Sequence, residues 1–423
     1  MNYIRRILDD ELDELLSGLA AVAIEGPKAV GKTATALQRA RTIYRLDDPA
    51  QRQLAGADPS RLATGETPIL IDEWQRLPES WDAVRRAVDD NPNANRFLLT
   101  GSATPADPPT HSGAGRIVRL RMRPLSLAER GAGPPTVSLR RLLAGGAPPI
   151  EGATDWTLRN YSDEIVRSGF PALRELGGRA LGAQIDSYVA RIVDRDFEEA
   201  GQRVRKPDAL RRWLAAYAAV TATTATLETI RDAATSGEGA KPTRPTVLAY
   251  RDVLQRIWIL DPVPGWVPTR NHVSRLSHPD KHHLADPALA AALLGVGADA
   301  LLRGDDGGVA VPRDGTLLGQ LFESLVTQSV RVYAQGAEAE VRHLRTKGGR
   351  QEVDLIIERR DHRVVAMEVK LARTVSDGDV RHLLWLREKL GADLLDAVVV
   401  TTGPHAYRRP DGIAVVPAVL MGP

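Results

Sequence analysis

Gly26-Pro27-Lys28-Ala29-Val30-Gly31-Lys32-Thr33 is the stretch whose reading decides the fold. The octet fits G-x-x-x-x-G-K-[ST]. It follows an apolar run at residues 19–25 (LAAVAIE) and opens a helical pattern at residues 32–41. Strand, glycine-rich loop and helix in that order form the context of a phosphate-binding loop. Glycines let backbone N–H groups curl round phosphates, and the helix N-terminus adds positive potential. Lys32 is expected to reach the β- and γ-phosphates, and the Thr33 hydroxyl to complete Mg²⁺ coordination.

About forty residues on, Ile69-Leu70-Ile71-Asp72-Glu73 ends an apolar run in two acids. Beside a phosphate loop, Asp72 is expected to hold Mg²⁺ and Glu73 to polarise an attacking water. Another apolar run, residues 96–99, leads into Thr100-Gly101-Ser102. A polar side chain there would sense the γ-phosphate or hold the water; Thr100 and Ser102 are both candidates. Trp74 and Gln75 read as packing and turn residues. Short strands at 19–25, 42–46, 68–71 and 96–99 alternate with helical patterns, which predicts a parallel α/β sheet with helices on both faces.

These stretches (GPKAVGKT, ILIDEWQRLP, FLLTGSATP and HSGAGRIVRLRMRPLSLAE) resemble the AAA+ superfamily. More closely, the chain resembles a bacterial and archaeal group of AAA-type ATPases with a C-terminal domain of unknown function. The resemblance implies ATP and Mg²⁺ as cofactors. It also implies an arginine finger at Arg116, with Arg119 or Arg121 as substitutes, and hence a homo-oligomer as a candidate assembly. The other reading of RIVRLRMR is an amphipathic strand with a solvated basic face.

The rest of the chain divides by composition. A Pro/Gly-rich stretch at 131–152 reads as a surface loop or linker, and a polar break at 303–315 as a second boundary. The expected domains are an ATPase at 1–150, a helical lid and winged-helix-like region at 151–302, and an α/β domain at 303–423. In the middle, DEIVRSGFP (163–171) and YVARIVDRD (188–196) also resemble the group's pattern. Apolar residues recur at helical spacing over 181–197, 208–220, 226–234 and 246–260. The last two could be a helix-turn-helix and 261–286 its wing, with Lys241, Arg244, Arg251 and Arg256 available for DNA. His282 and His283 beside Asp286 read as structural or surface residues, because neighbours on a strand point to opposite faces.

The last part places Glu323 in a helical pattern at 317–333, followed by strands near 340–345, 352–359, 364–370 and 397–401. Asp354 lies in EVDLII, and Glu368 and Lys370 in VVAMEVK. Helix Glu, strand Asp and E-x-K resemble the PD-(D/E)XK nuclease superfamily, which implies a restriction-endonuclease-like fold. Period two puts Glu368 and Lys370 on one strand face. Asp354 and Glu368, with Glu323, would hold Mg²⁺, and Lys370 would orient the water or stabilise the phosphorane.

Composition bounds these readings. The 423 residues suggest about three domains. The chain has no cysteine, which excludes disulfides, thiol catalysis and Cys-type metal sites and suits a reducing cytoplasm. Lys+Arg is 56 and Asp+Glu is 54, so a net charge of +2 excludes a globally basic coat. Nucleic-acid binding would need local patches such as 116–123. No signal peptide, repeat or transmembrane stretch is read. ATP-driven DNA processing through the nuclease-like domain is the leading expectation. A nucleotide-driven switch with a docking C-terminal domain is the alternative. A chaperone-like ring is weaker, since no aromatic pore loop is evident.

Overall fold

The computed structural model describes residues 3–102, 113–202, 204, 206–235, 241–268, 278–303 and 317–423. The first sheet has five strands: β1 (Ala21–Glu25), β2 (Thr42–Arg45), β3 (Ile69–Asp72), β4 (Phe97–Gly101) and β5 (Ile117–Arg121). Their order is β2-β3-β4-β1-β5, and every pairing is parallel. β1, β3 and β4 are buried along their whole length, as strands covered on both faces must be. The helix after the phosphate loop stops at Leu37, short of the expected residue 41. β5 is the amphipathic strand of the Arg-rich run, buried at Ile117 and Leu120 and exposed at Val118 and Arg119.

The stretch at 131–152 is not a free linker. Strand β6 (Val137–Ser138) pairs with the C-terminal strand β15 (Met421–Gly422), and β7 (Gly152–Ala153) joins the edge of the second sheet. Leu139, Leu142, Leu143 and Ile150 are buried in the main core. Prolines and glycines dominate the composition there, but the short apolar helix Leu139–Ala144 supplies enough burial to anchor the segment.

The middle is helical. Helix Gly178–Arg191 runs through a π-turn, Ile192–Asp196, into Phe197–Glu199. Helices Pro207–Ala219, Leu227–Ala233 and Arg244–Arg256 follow. The expected wing does not stand as its own hairpin in the described residues. Its strand β8 (Gly265–Trp266) pairs in parallel with the second sheet, and 281–284 bridges back to 260–263. Residues 236–240 of the expected helix-helix turn, 269–277 of the wing and 304–315 of the second break lie outside the described residues.

The second sheet adds β9 (Glu340–Arg345), β10 (Glu352–Glu358), β11 (Val364–Val369), β12 (Leu394–Thr401), β13 (His405–Arg408) and β14 (Ala414–Pro417). Its order is β7-β13-β14-β12-β11-β10-β9-β8. β9, β10 and β11 form an antiparallel meander, and β12 returns parallel to β11 through helix Asp377–Leu390. Helix Leu317–Gly336 packs into the main core, which draws residues from all three parts of the chain.

Candidate functional site

The phosphate loop leaves β1 at Glu25, at the C-terminal edge of the first sheet, where open α/β sheets bind ligands. Its backbone demands glycine at two points. A Cβ on Gly26 would lie 2.2 Å from the Met122 carbonyl oxygen, and Gly31 has φ +110°. Ala29 adopts φ +63°, and Val30 is buried. Lys32 folds back into the loop, donating to Gly26 O at 2.9 Å and Pro27 O at 2.8 Å. Burial pushes its ammonium down to about 8. Phosphates entering the loop would offer that ammonium better acceptors than two carbonyls.

Register brings the acids to the loop. Asp72 pairs with Thr100 across β3 and β4, and both Thr33 and Thr100 hydroxyls donate to Asp72 Oδ1, Thr33 at 2.7 Å. Glu73 leaves the strand with φ +57° and turns the other way. Its Oε2 accepts from Gln75 Nε2 and, at 3.3 Å, from Ser102 Oγ, and Gln75 Nε2 also donates to Ser102 at 3.2 Å. Thr100 thus belongs with Asp72, and Ser102 with Glu73. Trp74 is a packing residue, 4.6 Å from Trp81 between ring centroids. Gln75, read from sequence as a turn residue, is part of the Glu73 network instead; no motif spacing marks it.

The helical middle closes over the loop. Lys28 Nζ donates to Asp196 Oδ1 at 2.6 Å and Glu199 Oε2 at 2.5 Å, and Tyr188 Oη donates to Lys28 O at 3.1 Å. Partial burial opposes the Lys28 charge, but the two carboxylates outweigh it and raise its pKa. These groups line a cavity of about 150 Å³ with Gln75, Arg76 and Ser102. Asp196 entered the sequence reading only as the end of YVARIVDRD and Glu199 not at all, since nothing local links either to residue 28.

The arginines part company. Arg116 precedes β5, whose first residue pairs with Ala21 at the start of β1, so it lies at the opposite sheet edge from the phosphate loop. Five residues of strand put it about 16 Å away. It pairs with Asp89 at 2.7 Å and is half-exposed. Its distance rules out contact with its own phosphate loop. Arg119 lies 3.5 Å from Glu25 and over Trp81. Arg121 and Arg123 turn inward to buried Asp261, at 3.1 and 2.8 Å, where Arg331 joins them at 2.9 Å. The three guanidiniums outweigh the cost of burial and hold that carboxyl far below its usual range. The expected basic patch at 116–123 is therefore corrected: two of its arginines are consumed by a buried acid.

In the middle region, Lys241 pairs with Glu228 and Asp232, Arg251 lies 4.0 Å from Asp252, and Arg256 donates to Ala200 O at 3.5 Å. Arg244 begins its helix on the exposed side. The His282 ring sits between Tyr217 Oη and Ala225 O, while His283 faces Ser324. Asp286 caps helix Pro287–Leu293 and accepts from Gly169 N at 2.7 Å.

The C-terminal residues come together around a residue the sequence reading passed over. Lys281 donates to Glu323 Oε1 at 2.7 Å and Asp354 Oδ1 at 3.0 Å. The Val369 N–H donates to Asp354 Oδ2 at 2.9 Å. Glu368 lies 3.4 Å from Lys370 and 3.8 Å from His382. Burial, then the Asp354 charge, raises Glu323 to about 8 and lifts Glu368 well above the carboxylate range. Among the described residues no three His, Asp or Glu side chains form a set that could hold a metal ion. Lys281 stands between Glu323 and Asp354, while Glu368 keeps a side-chain hydrogen bond to Asp354 and lies beside Lys370.

Among the described residues no helix is long and apolar enough to cross a membrane. Residues 158–300 and 318–421 match two domains of unknown function, DUF8612 and DUF4143. The uncharacterized proteins Rv2008c of Mycobacterium tuberculosis and Mb2031c of Mycobacterium bovis are each 24% identical over 98% of this chain and 83% of their own. Among solved structures, Aeropyrum pernix ORC2 (ADPNP-ADP complexes) is 14% identical, with 70% of this chain and 95% of that chain covered and a TM-score of 0.31. The replication initiator DnaA bound to AMPPCP and single-stranded DNA is 13% identical, with 60% and 89% covered and a TM-score of 0.25. Residues 20–130 match the AAA domain family, and with the strand–loop–helix at Gly26–Thr33 and the all-parallel sheet they form a P-loop AAA-type domain.

Proposed function

We propose that the chain is a Mg²⁺-dependent ATPase that works as a nucleotide-driven switch, its C-terminal domain acting as a docking module. The observation that carries this is the bond from Lys28 to Asp196 and Glu199, which ties the phosphate loop to the helical middle. The cavity there, about 150 Å³, is smaller than the roughly 300 Å³ of a small ligand pocket. In this reading the helical segment withdraws when a triphosphate seats against the loop. The phosphates would then replace the two carboxylates as partners of Lys28, so occupancy is read as a movement of 178–199.

The residues fit ATP and Mg²⁺. Gly26 and Gly31 leave a backbone cradle, Lys32 supplies a cation, and Thr33 and Asp72 share a hydrogen bond where an ion would take both oxygens. When bound, the metal would neutralise charge between the phosphates. Glu73, with Gln75 and Ser102 beside it, would orient the attacking water and receive its proton. Arg116 would act on a neighbouring copy's nucleotide.

DNA processing, the leading expectation from sequence, is the second reading. The helix, three-strand antiparallel meander, helix and parallel strand that carry Glu323, Asp354, Glu368 and Lys370 favour it. The engagement of Arg121, Arg123 and Lys281 by acids weighs against it. The deciding experiment measures ATP turnover and the distance between labels in 178–199 and the first sheet, with and without ATP. Turnover with an ATP-dependent distance change is expected. ATP binding with neither overturns the switch. Mg²⁺-dependent DNA cleavage lost in Asp354→Ala would favour the second reading.

A further inference from the structure

The carboxylates of the C-terminal sheet already have a cation, and it belongs to the chain. Glu323 stands on helix Leu317–Gly336, and Asp354 and Glu352 on β10. Lys281 reaches them from the helical middle, fully buried at 1% exposure. Its ammonium lies 2.7 Å from Glu323, 3.0 Å from Asp354 and 3.9 Å from Glu352. The second Asp354 oxygen is taken by the Val369 N–H at 2.9 Å.

We propose that Lys281 is the resident cation of this cluster, standing where a divalent ion would otherwise bind, so that the C-terminal domain works without metal and is fastened to the middle region by this bond. An ammonium satisfies carboxylates through hydrogen bonds of the observed lengths. A magnesium ion needs the same oxygens at about 2.0–2.1 Å in an octahedron. Both cannot occupy one group of acids, and a buried positive charge repels the incoming ion.

Lys281 is not poised to withdraw. Its N–H donates to Val263 O and its carbonyl accepts from Val263 N, both at 2.9 Å. The next residues continue the pinning: His282 N donates to Thr223 O at 2.8 Å, and His283 O accepts from Asp261 N at 2.9 Å. Strand pairing on one side and a loop contact on the other hold the side chain in the cluster. Glu368 shares a side-chain hydrogen bond with Asp354 and lies 3.4 Å from Lys370, so a second lysine of the chain also faces these acids.

This inference does not rest on the ATPase reading, and its test uses no nucleotide. Mn²⁺ binding to the nucleotide-free full chain is followed by electron paramagnetic resonance. The wild type is expected to show no site tighter than about 1 mM that depends on Asp354. Lys281→Met is expected to gain one Mn²⁺ per chain, lost again in Lys281→Met/Asp354→Asn. The melting temperature of Lys281→Met should rise with Mn²⁺, while that of the wild type should not respond through this site. Wild-type Mn²⁺ binding abolished by Asp354→Asn overturns the proposal. So does a folded Lys281→Met that gains no ion. Should Lys281→Met fail to fold, the wild-type titration still decides.

Discussion

The Lys28 ammonium lies 2.6 Å from the Asp196 carboxylate, 168 residues further along the chain. One residue of the phosphate loop is thereby bonded to the π-turn that ends helix Gly178–Arg191. A loop built to bind phosphates and a helical segment share a single cation, so under the proposed switch a ligand that takes the cation would free the segment.

Breaking that bond from the acid side should favour nucleotide. Asp196→Asn with Glu199→Gln removes both competitors for Lys28 while keeping side-chain shape. ATP affinity is expected to rise by up to about fivefold, the scale of a partly exposed ion pair. Titration with a fluorescent ATP analogue checks this; an unchanged or weaker affinity contradicts the competition.

The chemical step should separate from binding at two positions. Lys32→Ala is expected to lose both ATP binding and turnover. Glu73→Gln should keep binding but lose about 10²–10⁴-fold in turnover, the usual contribution of a general base. Phosphate release at saturating ATP distinguishes the two.

Arg116 should matter only between copies, because it sits at the far edge of its own sheet. Specific activity is expected to rise with protein concentration in the wild type. Arg116→Ala should flatten that dependence while leaving ATP affinity unchanged. Turnover measured across a dilution series, beside the solution mass with ATP, provides the check.

Asp261 holds three arginines at 3.1 Å or closer, in a buried position. Asp261→Asn leaves these guanidiniums facing one another and is expected to cost about 3–5 kcal/mol. Urea unfolding measures it. Adding Arg121→Gln should recover part of the loss, since the two changes meet in one network.

His343 gives a pH signature. It is buried, with Nε2 3.0 Å from Pro279 O, and burial, then Lys281, pushes its pKa down to about 4. The unfolded ring titrates near 6.5, so between these values the unfolded chain takes up a proton that the folded chain refuses. Its contribution is complete above about pH 6.5 and falls by up to about 3 kcal/mol as pH drops toward 4. His343→Gln, which can still donate to Pro279 O, should flatten denaturation curves over that window.

The local elements were legible because their causes are local. Strand, glycine turn and helix follow one another within residues 21–37, and β10 and β11 show in the apolar runs around Asp354 and Glu368. Composition misled at 131–152, where prolines and glycines masked a buried helix, and it could not show that Arg121 and Arg123 of the Arg-rich run turn inward to Asp261. The bonds that decide what the sites can do join residues far apart: Lys28 to Asp196 across 168 positions, and Lys281 to Asp354 across 73. Periodicity and spacing report only neighbours within a turn or a strand. The sequence by itself determined a phosphate loop, its acids and an E-x-K strand. Only the tertiary structure decided that a helical segment holds the loop's Lys28 and that a buried ammonium stands among the acids of the cluster, because each depends on where the chain returns after many intervening elements.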